Sequence, residues 1–196
     1  KSIDDVLEIN LNKIKLVLNP LRLNIKAKTL GPKLKHNNQS VEFEYIQTNI
    51  SIKSLIKNEF SISNLDASTK SLKIKTLISF YQSLNKSTEL FILEKFIKKG
   101  FLIADIKINF DKDGKLNNTF KVNGFIKDAK INIFKRYKVK NLNFIFNLDN
   151  KNLKIQDLDG SFNNLKFSSN KLNVSKFKED FLFVGDFENK DVNLDN

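Results

Sequence analysis

Residues 130–160 read KINIFKRYKVKNLNFIFNLDNKNLKIQDLDG, and this stretch decides the fold class. Apolar residues alternate with Lys and Asn, stop at a polar turn, and alternate again. Because successive side chains of a β-strand point to opposite faces, this alternation predicts strands with one apolar face and one hydrated face. Connections this short cannot hold the crossovers of a parallel sheet, so the strands are expected to form an antiparallel meander.

The same alternation recurs on both sides of this stretch. Between residues 101 and 196 the strand candidates are separated by the short polar connections DKDG, KD, DNK, DG and SSN, which are typical of hairpins. Residues 1–75 predict further strands around a short turn or helix at KSLIKN. The fold class is therefore mainly β with a few short helices, a β-rich α+β chain. Its antiparallel meander is expected to be an elongated, curved sheet with one apolar side, although alternation alone also allows a barrel or a sandwich.

Two helices are predicted between residues 76 and 100. The second begins after Thr88, is expected to end at Gly100, and is expected to bury Leu93 and Ile97 against the apolar face of the sheet. We expect residues 1–196 to be a single β-rich segment of a longer protein. It comprises strands over 1–75, a helical insert over 76–100 and the antiparallel meander over 101–196.

The formal net charge of +12 raises the question of a nucleic-acid or anionic-membrane partner. Arg22 and Arg136 are the only arginines, although the guanidinium group suits base and phosphate recognition better than the Lys ammonium does. The lysines are spread along the chain and alternate with apolar residues, as on a hydrated strand face. We therefore expect no nucleic-acid partner. A basic module that binds anionic membrane or nucleic acid would need its lysines gathered on one surface.

Side chains that carry chemistry are scarce. The chain has no Cys, and its single histidine, His36, is expected in a surface loop beside Asn37 and Asn38. One His without Cys does not make a typical zinc site, and Asp111–Asn118 lacks the ligand spacing of a calcium loop and is expected to be a turn. We expect no catalytic residues, no metal, no cofactor and no enzymatic activity.

The order of segments resembles the AsmA-like family of Gram-negative envelope proteins. Residues 41–74, VEFEYIQTNISIKSLIKNEFSISNLDASTKSLKI, are similar to that family's strand, short Leu-rich element and following strand. Residues 121–177 are similar to its recurrent meander, closest to the large YhdP- and TamB-type members, which are bridge-like lipid-transfer proteins. The helices at 76–99 match no motif of the family.

The resemblance implies a periplasmic protein attached to the inner membrane by an anchor outside this segment. It also implies a groove on the apolar sheet face for phospholipid acyl chains, with a role in phospholipid transport between the two membranes and in outer-membrane maintenance. The alternative is a structural or adhesive β-domain of a surface protein, in which the many Phe form a closed core. The candidate groove face consists of Ile106, Ile108, Phe120, Val122, Ile131, Ile133, Phe144, Phe146 and Ile155.

Overall fold

The computed structural model describes residues 7–84, 88–111, 113–115, 120–133, 136–150, 152–177 and 180–189. Within these residues the chain forms fourteen strands and three short helices. Contacts between Cα atoms divide it into two compact units. Unit 1 comprises residues 1–70 and 104–122, and unit 2 comprises residues 71–103 and 123–196.

Unit 1 is a sheet with one short helix. Its elements are β1 (Glu8–Asn10), β2 (Lys13–Asn19), β3 (Asn24–Leu30), β4 (Lys33–His36), β5 (Gln39–Ser51), α1 (Ile52–Ile56) and β6 (Ile62–Thr69). The long strand β5 pairs with β4 through its first residues and with β3 through its later ones, and β6 lies on its other side. Beyond β3 lies β2, and beyond β4 lies β1. Every one of these pairs is antiparallel.

The elements of unit 2 follow in chain order. They are β7 (Leu72–Lys73), α2 (Ile74–Leu84), α3 (Thr88–Phe96), β8 (Ile97–Asn109), β9 (Lys121–Ile133), β10 (Tyr137–Asp149), β11 (Asn152–Phe162), β12 (Leu165–Phe177), β13 (Asp180–Gly185) and β14 (Glu188–Asn189). Residues 104–109 of β8 and residues 121–122 of β9 belong to unit 1, where β8 pairs antiparallel with β6.

The strands of unit 2 are hydrogen-bonded in the order of the sequence, from β8 to β13, with β7 beside β8 and β14 beside β12. Among the described strands β13 pairs with β12 alone, so the unit 2 sheet is open and not a barrel. In unit 1, likewise, the only described partner of β2 is β3. The expected fold class, a mainly β chain with an antiparallel meander and a few short helices, is confirmed.

Several predicted turns are instead irregular positions inside long strands. β9 continues through the KD dipeptide, where Asp128 has a φ of 52°, and β11 and β12 continue through DG and SSN. Asp and Asn tolerate the left-handed region better than other residues, so they can absorb a bulge without ending the strand. The turn that joins β11 to β12 lies at Asn163 and Asn164, with φ of 47° and 77°, inside a predicted strand.

The helices also differ from the prediction. α3 ends at Phe96, and residues 97–100 begin β8, so the predicted helix end at Gly100 is wrong. Leu93 is 43% exposed, which corrects the expectation that α3 buries it against the sheet, and Ile97 is buried as a strand residue. The helix that contacts the sheet is α2. Its first residue, Ile74, lies so close to Gly100 of β8 that a Cβ at Gly100 would be 2.7 Å from Cδ1 of Ile74. α3 packs against α2, where the Ser79 hydroxyl donates to Oε1 of Glu94 at 2.7 Å.

His36 is not a loop residue. It is the last residue of β4, pairs with Gln39 and is buried, because Asn37 and Asn38 alone form the hairpin turn with φ of 44° and 63°. Two consecutive left-handed residues are the geometry of the tightest hairpins, which extend the strands up to the turn. The expected turn after Asp111 is present, since Oδ1 of Asp111 accepts the backbone N–H groups of Asp113 and Lys115.

Candidate apolar binding face

One face of the unit 1 sheet is apolar across five strands. Directly opposed residues of an antiparallel pair point to the same side, so the register assigns the members of this face. Leu16 opposes Ala27 and Ala27 opposes Thr48; Leu65 opposes both Thr48 and Ile108. The unit 1 apolar face consists of Ile14, Leu16, Leu18, Ile25, Ala27, Thr29, Ile46, Thr48, Ile50, Ile62, Leu65, Ala67, Ile106 and Ile108.

This face is only partly shielded from solvent. Thr29 and Ala67 are buried, the other members on β3, β5, β6 and β8 are half-buried, and Ile14, Leu16 and Leu18 at the β2 edge are exposed. A packed core would remove most of this apolar surface from water. Within the described residues, the unit 1 apolar face is therefore partly open to solvent, most of all along β2, and its two buried members lie on β3 and β6.

The opposite side of the same strands is hydrated and basic. Lys15 opposes Lys28, Lys28 opposes Gln47, and Asp66 lies between Gln47 and Lys107. The Lys28 ammonium lies 4.3 Å from the centre of the Tyr45 ring, a cation–π contact that holds this side chain over the sheet. Unit 1 thus has the apolar and hydrated sides that the alternation predicts.

Two threonines place hydroxyl groups on the unit 1 apolar face. The Thr48 hydroxyl donates to the carbonyl oxygen of Asn64 at 2.6 Å. Oγ1 of Thr29 is buried and has no hydrogen-bond partner among the described residues. A buried hydroxyl without a partner is uncommon in folded proteins, so Thr29 marks a point where this face is polar and unsatisfied.

Around Phe146 the apolar face of unit 2 is more fully buried than the unit 1 apolar face. Phe146 opposes Ile155, which opposes Leu172, and all three are buried, with Phe146 8% exposed. The Phe144 and Phe146 rings meet edge to face at 6.3 Å, and a Cβ on Gly124 would lie 2.6 Å from the Phe146 ring. Glycine at this position leaves room for the ring against β9. This part of unit 2 is packed as a core.

The nine residues predicted to share a face therefore fall in two places. Ile106 and Ile108 lie on the unit 1 apolar face, and Phe120 and Val122 are half-buried in the same unit. In unit 2, Phe146 and Ile155 are core residues, and the other three are half-buried. Those three are Ile131, Ile133 and Phe144.

A line of bulges crosses the middle of the unit 2 sheet. Asp128, Asn141 and Asp157, on three neighbouring strands, have φ of 52°, 51° and 50°. Oδ1 of Asn143 accepts the backbone N–H of Asp128 at 2.8 Å, and its Nδ2 donates to Asn141 O. Before Asp128 the even-numbered residues of β9 are less exposed than the odd-numbered ones, whereas after it the odd-numbered Ala129 is buried. The bulges keep apolar residues on one face along a long strand.

Unit 2 also has a small concavity of about 280 Å³, which is lined in part by Leu102, Ile103 and Phe125. Ile103 and Phe125 are exposed there, beside Lys127 and Asp128. Sites for drug-sized ligands measure about 300–1,000 Å³, so this concavity is too small for a phospholipid.

The described residues offer little for catalysis or metal binding. No three His, Asp or Glu side chains within the described ranges come together as metal ligands. In those ranges the one clear pKa change is at Glu42, where hydrogen bonds from Lys33 at 3.1 Å and Lys70 at 3.2 Å hold the carboxyl pKa below 4.5. This trio ties β4, β5 and the end of β6 together on an exposed surface.

No helix in the described ranges is long and apolar enough to span a bilayer. No protein-family model, curated protein or solved structure matches the chain.

Sequence reasoning missed the part of this site that lies before residue 101. Its sequence alternates as clearly as the later strands do, for example over residues 21–28, but the alternation does not show which face stays open. The difference between the two units depends on what packs over each sheet, which no local pattern encodes.

Proposed function

We propose that the chain is a non-enzymatic segment of an AsmA-like envelope protein that carries phospholipid acyl chains along the unit 1 apolar face. In this proposal the parent protein lies in the periplasm of a Gram-negative bacterium, attached to the inner membrane by an anchor outside the segment. It contributes to phospholipid transport between inner and outer membrane and to outer-membrane maintenance. The observation that carries the proposal is an apolar face that is continuous across five strands yet only half-buried.

An acyl chain is the ligand that such a surface suits best. The face offers Ile and Leu side chains in rows and few hydrogen-bonding groups, so it can recognise a long hydrocarbon but not a polar substrate. Burying one methylene stabilises the complex by about 0.8 kcal/mol, so a chain in contact with several strands gains several kcal/mol without any chemical step. No cofactor or metal is required for this activity.

The second candidate function is a structural or adhesive β-domain with a closed apolar core. The burial of Phe146, Ile155 and Leu172 favours it for unit 2, because a ligand cannot reach residues that are packed on all sides. We therefore place the lipid site on unit 1 and assign a structural role to the core of unit 2.

The experiment is binding of a fluorescent phospholipid to the delipidated chain. Ile50→Asp puts a carboxylate on the unit 1 apolar face, where Ile50 is half-buried between Ile25 and Ile62. We expect phospholipid binding to weaken about tenfold or more, because an unpaired charge facing hydrocarbon costs several kcal/mol.

The matched control is Asn49→Asp. This substitution adds the same charge one residue earlier, on the hydrated side, and Asp has nearly the same shape as Asn. In the unmodified chain the Asn49 amide donates to Oδ1 of Asn64 at 2.8 Å. Asn64 can restore a hydrogen bond to the new carboxylate by turning its amide. Circular dichroism checks that both variants are folded. The proposal would be contradicted by equal binding of the two variants or by the absence of phospholipid binding to the unmodified chain. Unfolding of Ile50→Asp alone would also contradict it, because that result would show that this face is a core.

A further inference from the structure

The two most exposed large apolar side chains of the described residues lie at the same end of unit 1. Leu21 is 96% exposed in the turn between β2 and β3, and Ile56 is 78% exposed at the end of α1. The backbone N–H of Ile52 donates to the carbonyl oxygen of Leu23 at 2.9 Å, so the turn and the helix are held side by side. Residues 20–23 and 52–57 are called the unit 1 tip below.

The unit 1 tip is also basic. It contains Arg22, Lys53 and Lys57, all exposed, and no acidic residue, while Glu59 follows just beyond it. None of these three cations forms an ion pair with a carboxylate of the described residues. Arg22 is fixed through its backbone N–H, which donates to Oδ1 of Asn19 at 3.1 Å, so its guanidinium group remains available to a partner.

Protruding apolar side chains between unpaired cations suit one kind of partner. Leu21 projects from a turn and Ile56 from the end of α1, so they fill no pocket among the described residues, and a fluid layer can accept such projections without a shaped recess. An amphipathic element of this kind inserts its apolar residues at the level of the lipid headgroups, and its cations contact the phosphates. A nucleic acid would use the cations but not the aliphatic side chains.

We propose that the unit 1 tip docks on an anionic phospholipid bilayer, with Leu21 and Ile56 inserted into the interface and Arg22, Lys53 and Lys57 on the phosphate groups. This goes beyond the proposed function, because docking needs no lipid to occupy the unit 1 apolar face. The tip does adjoin one end of that face: the row Leu18, Ile25 and Ile50 is the last before the turns. A docked bilayer would therefore lie next to the end of the apolar rows.

The first test is flotation of the full chain with phosphatidylcholine vesicles that contain or lack phosphatidylglycerol. The tip variant combines Arg22→Gln, Lys53→Gln and Lys57→Gln. Since a cation near an anionic surface changes partitioning about fivefold, the triple variant should lose about a hundredfold in partitioning to the anionic vesicles. The charge-matched control, Lys121→Gln with Lys154→Gln and Lys171→Gln, changes exposed lysines outside the tip and should keep most of the binding.

The second test reports insertion directly. The chain has no Trp, so Leu21→Trp places a single Trp at the tip, and Phe187→Trp places one at an exposed position of unit 2; excitation at a wavelength that Tyr does not absorb reports on the Trp alone. With anionic vesicles we expect a blue shift and protection from a soluble quencher at position 21 but not at position 187. Equal losses in the two triple variants, equal shifts at the two positions, or no flotation of the unmodified chain would each overturn the proposal. Loss of phospholipid capture with docking intact would instead count against the proposed function alone.

Discussion

Replacement of Phe146 by Ala tests whether unit 2 is a packed core. The ring is buried, meets Phe144 edge to face at 6.3 Å and lies over Gly124, where the lack of a Cβ leaves room for it. Removing a buried Phe side chain costs about 3–5 kcal/mol, because the neighbouring residues do not close the cavity. Gly124 cannot fill the space, so we expect a loss of about 4 kcal/mol in the free energy of unfolding.

The measurement is urea denaturation followed by circular dichroism, with a thermal melt beside it. For a chain of this length each kcal/mol shifts the melting temperature by about 2–4 °C, so Phe146→Ala should lower it by about 8–16 °C. Phe183→Ala is the control: Phe183 is 64% exposed on the edge strand β13, and its replacement should change the free energy of unfolding by about 0.5 kcal/mol or less. Similar small losses for the two variants would refute the assignment of Phe146 to a core.

Three further substitutions test other parts of the fold. Gly124→Ala should destabilise the chain by about 1–3 kcal/mol in the same urea titration, because the new Cβ would meet the Phe146 ring and a backbone oxygen at 2.6 Å; an unchanged midpoint would contradict the close approach. Asn143→Ala removes the acceptor of a bulge N–H at 2.8 Å and should cost about 1–3 kcal/mol, with hydrogen exchange fastest at that amide; uniform exchange along β9 would count against it. Ionised Glu42 stabilises the fold above pH 4.5, and this contribution is lost as pH falls through its lowered folded-state pKa. Glu42→Gln should therefore lower stability by about 1 kcal/mol or less at neutral pH, since the group is exposed, and the difference should vanish in acid; a difference that grew in acid would reverse the assigned sign.

The antiparallel meander was predictable because the physical cause is local. Period-two alternation and short polar connections can each be recognised within about ten residues, so strands such as β10 and β11 follow from the sequence. Asp128 and Asn163 show where that reasoning fails. Both residues suit the left-handed region, and only the strands beside them decide that the first is a bulge and the second a turn. A change of phase was visible in the sequence, since Ile126 and Ala129 are separated by two polar residues.

The candidate site was only partly predictable for a related reason. The sequence shows that Ile108 and Phe146 each belong to an apolar strand face, but not that the first remains half-buried and the second becomes core. The predicted end of α3 at Gly100 was four residues too late. A glycine there is typical of a helix stop, but Gly100 is a strand residue that leaves room for Ile74. His36 was placed in a loop because the turn beside it needs only two residues. For Phe146 and Gly100 the deciding contact comes from a distant part of the chain, whereas for His36 it is the geometry of the adjacent turn.

Photo-crosslinking at two adjacent residues tests the central proposal most directly. Thr48 lies on the unit 1 apolar face, and Gln47 points to the hydrated side of the same strand. A benzophenone amino acid is placed at each position in turn, and the chain is irradiated with radiolabelled phospholipid. Acyl-chain carriage along this face predicts a lipid adduct at position 48 and none at position 47. Equal labelling at both positions, or no adduct at position 48 in a folded chain, would contradict it.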